Sequence, residues 1–184
     1  YNYNLNTENN LYFIMDCSSI IYNKNNVICL FSLNKWNIKN NENIKIYTYT
    51  YNPIPKNFTI EYCETIGIPY IYIDDGEEII INAGIIGVVP IYYKISDGIL
   101  YITDDIHNIW MYEGLDYDSI IDVLTYKVCL DKYTLIEKIY HLNSGQKIIS
   151  NDKGYKIIDD HNYPKPEYRH DDKDTLMVDL YDIS

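Results

Sequence analysis

The stretch GIIGVVPIYYKISDGILYITDD, residues 84–105, decides the fold of this chain. Alternating apolar residues stand on both sides of Asp97-Gly98. Asp-Gly between two such runs is a strong short-range signal for a β-hairpin. The sequence therefore predicts two paired strands, at residues 90–95 and 99–103.

Two glycines and a proline stand in front of this hairpin. Gly84 and Gly87 predict a tight bend and a close backbone approach where a second sheet begins. Pro90 then starts the next strand, which is a position that proline tolerates. A backbone anion site is the functional alternative for the glycines. Glycine chosen for geometry is the favoured interpretation, so the segment marks a scaffold.

Other apolar runs extend the pattern in both directions along the chain. Asp116 offers an N-cap ahead of Ile120, Ile121 and Leu124, whose spacing predicts a short amphipathic helix. Many strands and few helices predict an α+β domain built on antiparallel sheets. The further predicted strands are at residues 11–21, 27–33, 44–51, 58–64, 68–73, 78–82, 146–150 and 155–158.

Composition limits the classes of function. The chain has 184 residues and a net charge of −12, which argues against a nucleic-acid partner because phosphate binding needs a basic surface. No apolar run is long enough to cross a bilayer and no signal segment opens the sequence, so we interpret the chain as cytoplasmic with no membrane partner. Four cysteines without C-x-x-C spacing predict free thiols and no zinc site.

The last part of the chain changes character. Residues 162–166 read as an extended linker, and residues 171–183 as an acidic amphipathic helix. Either this helix folds back on the domain or it packs on a second domain or partner. The histidines and aspartates of residues 159–172 have irregular spacing, which favours a solvated tail over a metal site. The apolar face of the helix consists of Leu176, Met177, Leu180 and Ile183.

A few isolated polar and aromatic residues are interpreted as structural. His107 and His141 stand alone in the sequence and are expected to be satisfied structural histidines. Trp36 and Trp110 are expected in the core or in an interface.

In two blocks of the sequence, residues occur in the order and spacing of the motifs of a known family. The sequence resembles the later half of the N-terminal glutaminase-like domain of the asparagine synthetase family, over roughly residues 70–165. It is most similar to diverged members such as lasso-peptide cyclases and β-lactam synthetases. The matching positions are Gly87, Pro90, Ile91, Tyr92 and Tyr93 in the first block, and Leu124, Tyr126, Thr134, Leu135, Ile139, Leu142, Gly145 and Tyr163 in the second.

The resemblance implies an N-terminal-nucleophile fold, in which two antiparallel sheets are stacked between helix layers. Competent members are class II glutamine amidotransferases that supply ammonia to an ATP-dependent synthetase domain. The expected organisation is a glutaminase-like domain at 1–163, followed at 164–184 by a linker and the start of a helix leading to a missing or separate synthetase domain. No cofactor is expected in this chain; ATP and Mg²⁺ would belong to the synthetase domain.

The residues needed for glutamine hydrolysis are largely missing from the expected places. The reaction needs an N-terminal cysteine, and Cys17 qualifies only after cleavage before it; a buried strand thiol is the favoured interpretation. An early arginine should hold the substrate carboxylate, but Arg169 is the first arginine. We therefore expect no catalytic residue, and a structural or docking role beside an amide-forming domain, for example one acting on a peptide. The alternatives are an active glutaminase processed to Cys17 and a stand-alone binding module.

Overall fold

The computed structural model describes residues 19–41, 43–74, 77–85 and 89–159. Within these ranges the chain is a mixed α+β structure with two sheets and few helices, which confirms the predicted class. Cys17, Gly87, Tyr163 and the segment at 171–183 lie outside the described residues. No described helix is long and apolar enough to cross a membrane.

Eleven strands and two α-helices follow one another along the described part of the chain. The helices are α1 (Ile60–Ile66) and α2 (Tyr117–Tyr126), and single 3₁₀ turns cover Leu33–Lys35 and Ile106–Asn108. The strands are β1 (Ser19–Lys24), β2 (Val27–Phe31), β3 (Asn37–Asn41), β4 (Ile44–Thr48), β5 (Tyr70–Asp74), β6 (Glu78–Asn82), β7 (Tyr92–Ser96), β8 (Ile99–Thr103), β9 (Ile139–His141), β10 (Gln146–Asn151) and β11 (Gly154–Asp159).

The strands form one sheet of five and one of six. The first sheet has the order β1-β2-β8-β7-β9, and the second has the order β11-β10-β6-β5-β4-β3. Every pairing is antiparallel except that of β2 with β8, which is parallel. The sheets are therefore mainly antiparallel, as expected, and this parallel pair is the exception that the sequence did not predict. Its cause is topological: between β2 and β8 the chain builds four strands of the second sheet before it returns to the first.

One continuous core joins the inner faces of the two sheets. The first sheet contributes Cys29, Phe31 and Ile102, and the second contributes Ile71 and Ile81, all of them fully buried. Strand positions two apart point to the same face, so each sheet presents one set of apolar side chains to the other. The two sheets are therefore stacked.

Smaller clusters cover the outer faces of both sheets. Cys63 of α1 and Phe58 pack with Ile46 and Tyr70 on the second sheet. On the first sheet, Ile109 and Ile136 from the connection between β8 and β9 pack with Ile28 and Leu30.

The chain passes from the second sheet to the first between β6 and β7, where the sequence predicts a bend. Gly84 has φ +70°, and a Cβ there would lie 2.7 Å from the Gly67 carbonyl oxygen and 2.7 Å from the Pro69 nitrogen. Its own carbonyl accepts a hydrogen bond from the N–H of Gly145 at 2.9 Å. The predicted close approach is confirmed at Gly84. Pro90 lies two residues before β7 and is exposed.

The family-like tyrosines that follow lie on opposite faces of β7. Tyr93 points into the core, 5.4 Å from the Tyr140 ring, whereas Tyr92 lies on the outer face, 5.8 Å from the His141 ring. Both are packing residues.

Two local predictions are wrong. Residues 58–64 were expected as a strand but contain most of α1. Thr59 accepts a hydrogen bond from the N–H of Tyr62 as N-cap, and Gly67 ends the helix in the left-handed conformation. Strand β3 is absent from the predicted strands. It lies at a sheet edge, where polar residues are tolerated.

Candidate functional site

The end of the sandwich at which β1 begins is where the resemblance would put a catalytic thiol. Ser19, the first described residue of β1, follows Cys17 by two positions and pairs with Phe31. Cys17 itself lies outside the described residues. The candidate site is therefore built here from the described groups around Phe31.

A buried carboxylate organises this end. Asp104 accepts hydrogen bonds from the backbone N–H of Ser32, at 3.0 Å and 3.2 Å to its two oxygens, and from Nε1 of Trp36 at 3.1 Å. The parallel pairing of β2 with β8 brings these residues together, because both strands end on the same side. With both oxygens accepting hydrogen bonds from the fold, Asp104 fixes the turn after β2 and is not a free general base.

Aromatic rings fill the neighbouring space in a row. The Phe31 and Trp36 rings are 5.5 Å apart, Trp36 and Tyr49 are 6.0 Å apart, and Tyr49 and Tyr51 are 5.4 Å apart, all edge to face. The row runs from buried Phe31 to Tyr51, which is 78% exposed. The hydrogen bond between Tyr49 and Tyr51 raises the pKa of Tyr49, and burial adds to this effect. The phenol of Tyr49 therefore stays neutral. Such a row offers stacking surfaces but no group that would bind a carboxylate.

None of the described thiols is activated. Burial raises the pKa of Cys29 and of Cys63, and it also raises that of the partly exposed Cys129, where nearby carboxylates add to the effect. The thiolate is the nucleophilic form, so these cysteines are inert near neutral pH. They are also free of disulfides, as predicted. Within the described ranges no group of three histidine, cysteine or acidic side chains is placed to hold a metal ion.

Both histidines singled out in the sequence have partners. Nδ1 of His107, on the surface, lies 2.9 Å from Oδ1 of Asp105. Burial lowers the pKa of His141, against the opposing effect of a hydrogen bond with Asn143. Each histidine therefore has a local partner, which fits the structural interpretation of both.

The second candidate feature is the outer surface of α2. Tyr117, Ile121 and Leu124 are 77%, 60% and 70% exposed and follow one another at i, i+4 and i+7, so they form one stripe. We call these three residues the α2 face. Ser119 is the only residue of α2 that is fully buried. The sequence predicted this amphipathic helix, but the structure turns its apolar stripe away from the core.

Exposed apolar residues continue beyond the α2 face. So many exposed apolar side chains within a short stretch of chain are typical of an interaction site. The other large apolar or aromatic residues between positions 110 and 135 that are more than two-fifths exposed are Trp110, Tyr112, Leu115, Tyr126, Val128, Leu130, Tyr133 and Leu135.

Helix α2 is held firmly at its beginning. Leu115 and Ile136 form a β-bridge, and the N–H of Asp116 donates to the Leu135 carbonyl at 3.0 Å. The side chain of Asp116 caps the helix by accepting from the N–H of Ser119 at 2.8 Å. The apolar stripe is therefore presented by an anchored element.

A buried ion pair supports the segment that leads into α2. Nζ of Lys94 donates to Oε1 of Glu113 at 2.6 Å and to the carbonyl of Ile109 at 2.8 Å. The other oxygen of Glu113 accepts from the N–H groups of Met111 and Tyr112. Burial acts to raise the pKa of Glu113. The hydrogen bonds to its oxygens, above all the one from Lys94, outweigh burial and lower this pKa. The sequence gives one signal of this pair, a lysine inside an apolar strand.

Comparison of the chain with protein-family models, with curated proteins and with solved structures found no match. The family resemblance therefore stands on the sequence motifs alone.

Proposed function

We propose that this chain is a catalytically inactive glutamine amidotransferase-like domain that serves as a structural and docking part of an asparagine-synthetase-like, ATP-dependent amide-forming enzyme. The observation that carries this proposal is the α2 face, an anchored helix with its apolar stripe directed outward. In the described ranges this stripe is uncovered. A domain with such a surface is suited to packing against another one.

The chemistry of the sandwich end supports the loss of catalysis. Where the resemblance would put substrate, aromatic rings lie edge to face, and Asp104 is committed to Ser32 and Trp36. Glutamine hydrolysis needs an activated thiol and a cationic fork for the carboxylate. The described thiols have raised pKa values, and the sequence has no arginine before Arg169.

The stacked sheets are the part of the architecture that supports the N-terminal-nucleophile fold implied by the resemblance. Two stacked sheets, with α1 packed on the outer face of the second one, support this part of the proposal. The passage between the sheets at Gly84 coincides with the first family-like block. In this proposal ATP and Mg²⁺ bind to the synthetase domain and not to this chain.

Glutamine hydrolysis by the full chain tests the first half of the proposal. We expect no glutamate release from glutamine above the buffer blank, and the same result for Cys17→Ala. Intact mass is measured on the same sample. A species that begins at Cys17 and releases glutamate, with the activity lost in Cys17→Ala, would establish the processed glutaminase instead.

Complex formation tests the second half. The full chain is co-expressed with an ATP-pyrophosphatase domain encoded in the same or a neighbouring gene, and the complex is measured by light scattering on a sizing column. We expect a 1:1 complex that Leu124→Asp weakens at least tenfold. Thr125→Asp is the matched control, because it adds the same charge to the next exposed position of the same helix. A wild-type chain that forms no such complex would favour the stand-alone binding module.

A further inference from the structure

We propose that the α2 face binds a basic amphipathic helix of a partner protein. The apolar side of that helix packs on the α2 face, and its lysine or arginine side chains pair with Asp118 and Asp122. This inference rests on the docking role proposed for the same face. It adds the chemistry that the partner must carry.

Two carboxylates run beside the apolar stripe. Asp118 directly follows Tyr117 and Asp122 directly follows Ile121, so the two carboxylates stand at i and i+4 along one side of the stripe. Asp118 is exposed and Asp122 is partly exposed. Within the described ranges neither of them forms an ion pair. Both carboxylates are therefore available to cations of a partner.

The rest of α2 carries no charge that would weaken this pattern. Asp118 and Asp122 are the only charged residues of the helix. On the other side of the stripe, Ile120 and Val123 are partly buried against the domain. The stripe is thus bordered by negative charge on one side and by the protein itself on the other.

The charged groups around the ends of α2 leave its surroundings acidic. Asp116 caps the beginning of the helix by accepting from the N–H of Ser119, and it adds a negative charge there. Glu113 is compensated by Lys94, and Lys127 follows the helix as an exposed cation at its C-terminal end. The segment that follows contributes two charges of each sign, on Asp131, Lys132, Glu137 and Lys138. The N-terminal part of α2 therefore attracts cations most strongly.

The spacing of the stripe fits a helix better than a strand. The backbone hydrogen bonds of α2 are made within the helix, so an extended segment finds no ladder to join along its side. From Tyr117 to Leu124 the stripe is roughly 10 Å long. A second helix with apolar residues at i, i+4 and i+7 presents a row of the same length and spacing, which packs on this one side by side.

The loop after α2 widens the apolar surface. Cys129 lies near enough to Asp116 and Asp122 for their charges to raise its pKa, so the loop returns along the helix. Its two neighbours, Val128 and Leu130, are exposed. A partner helix therefore meets apolar groups beyond a single row of side chains.

Charge argues against three other occupants. A second copy of this chain brings the same carboxylates to the interface, and each copy carries a net charge of −12. Residues 160–184 of this chain contain more acidic than basic residues, so Asp116, Asp118 and Asp122 repel them. An anionic membrane surface attracts basic segments and is repelled by this acidic helix. A basic protein helix satisfies both the apolar stripe and the carboxylates beside it.

Removal of the two charges in the full chain tests the inference, with the co-expressed ATP-pyrophosphatase domain as partner. Asp118→Asn with Asp122→Asn should weaken the complex about threefold or more at low salt, because two exposed ion pairs are lost. Raising the salt concentration from about 0.05 M to about 0.5 M should weaken the wild-type complex to the level of this variant.

Two control variants accompany this measurement. Asp118→Glu with Asp122→Glu keeps both charges and should bind like the wild type. Glu77→Gln with Asp152→Asn removes the same net charge from exposed turns of the second sheet and should also leave binding unchanged.

A pair of synthetic peptides tests the chemistry without a natural partner. Both are amphipathic helices with the same leucine spacing, and they differ only in lysine or glutamate at the positions beside the leucines. Calorimetry with the full chain should show at least tenfold tighter binding of the lysine peptide. This peptide should slow hydrogen exchange in α2, and Leu124→Asp should abolish that protection.

Three results would overturn the inference. The first is a complex that is equally stable with and without the charges of Asp118 and Asp122. The second is equal binding of the lysine and glutamate peptides. The third is self-association of the full chain that Leu124→Asp abolishes, which would assign the stripe to a second copy.

The outcome is separable from that of the proposed function. If the synthetase-type domain binds through Leu124 without any dependence on Asp118 and Asp122, the inference fails and the docking role stands. If that domain forms no complex but the lysine peptide still binds to the α2 face, the inference stands and the proposed synthetase partner fails.

Discussion

Nζ of Lys94 lies 2.6 Å from Oε1 of Glu113, and the two side chains are only 2% and 15% exposed. The pair joins strand β7 to the segment that leads into α2, and the second oxygen of Glu113 ties down the backbone of Met111 and Tyr112. A lysine this deeply buried depends on its counter-ion. The pair therefore links the sandwich to the surface that we propose for docking.

Glu113→Gln should strongly lower the free energy of unfolding. The substitution leaves the Lys94 ammonium buried without an opposite charge, a change that costs about 3–5 kcal/mol. Urea denaturation measures the effect. Glu137→Gln, at an exposed glutamate nearby, is the control and should change stability by less than about 0.5 kcal/mol. Equal effects of the two substitutions would contradict a buried ion pair, whereas Lys94→Met added to Glu113→Gln should recover part of the loss.

The same pair gives stability a dependence on acid pH. The pKa of Glu113 is lowered in the folded protein, so this carboxylate contributes stability that is fully present above its unfolded pKa of about 4.3. That contribution is lost as the pH falls through the lower folded value. Denaturation midpoints between pH 6 and pH 3 should fall more steeply for the wild type than for Glu113→Gln. Parallel pH profiles for the two proteins would refute the assignment.

His141 should make the stability of the fold depend on pH in a higher pH range than Glu113 does. Burial lowers its pKa below the ordinary value of about 6.5, so below that pH the unfolded chain binds a proton that the folded chain does not. Stability therefore falls as the pH drops below about 6.5, until the folded pKa is reached. His141→Gln keeps a polar side chain and should flatten this part of the profile. NMR titration of the His141 ring gives a direct check, and an unshifted or raised pKa would reverse the prediction.

Asp104→Ala should destabilise the sandwich end at which β1 begins. It leaves the N–H of Ser32 and Nε1 of Trp36 without their acceptor in a buried place, which costs about 2–4 kcal/mol for lost hydrogen bonds to a charged group. In a Trp110→Phe background Trp36 is the single tryptophan, and its emission under tryptophan-selective excitation should shift to the red as water reaches the ring. Asp105→Ala, at the next and more exposed position, is the control. An unchanged Trp36 spectrum would argue against this role for Asp104.

Local signals in the sequence were enough for most strands, because each depends on residues close together along the chain. The Asp97-Gly98 turn lies between β7 and β8, and the hairpin of β10 with β11 follows the same logic. The parallel pairing of β2 with β8 was beyond such reasoning, since Cys29 and Ile102 are 73 positions apart and no local pattern joins them. Helix α1 forms despite its strand-like composition, because Thr59 caps its beginning and Gly67 its end.

The candidate site was less accessible from sequence for a different reason. Periodicity shows that α2 has an apolar stripe, but not toward which side Ile121 and Leu124 point. That orientation is fixed by the bridge of Leu115 with Ile136 and by the buried Ser119, and both are tertiary contacts. The row of rings around Trp36 likewise gathers residues from separate strands and loops.

Gly84→Ala should be far more damaging than the same change at Gly98. Both glycines have positive φ, +70° and +76°, so each alanine takes on a left-handed backbone strain of roughly 1–2 kcal/mol. At Gly98 the added methyl group meets open space, whereas at Gly84 it lies 2.7 Å from the backbone of Gly67 and of Pro69. Backbone atoms cannot rotate away, so overpacking adds about 1–3 kcal/mol at Gly84 alone. Thermal and urea unfolding of the two variants measure the difference, and a Gly84→Ala protein as stable as Gly98→Ala would mean that the chain leaving β6 does not pass this close to the segment before β5.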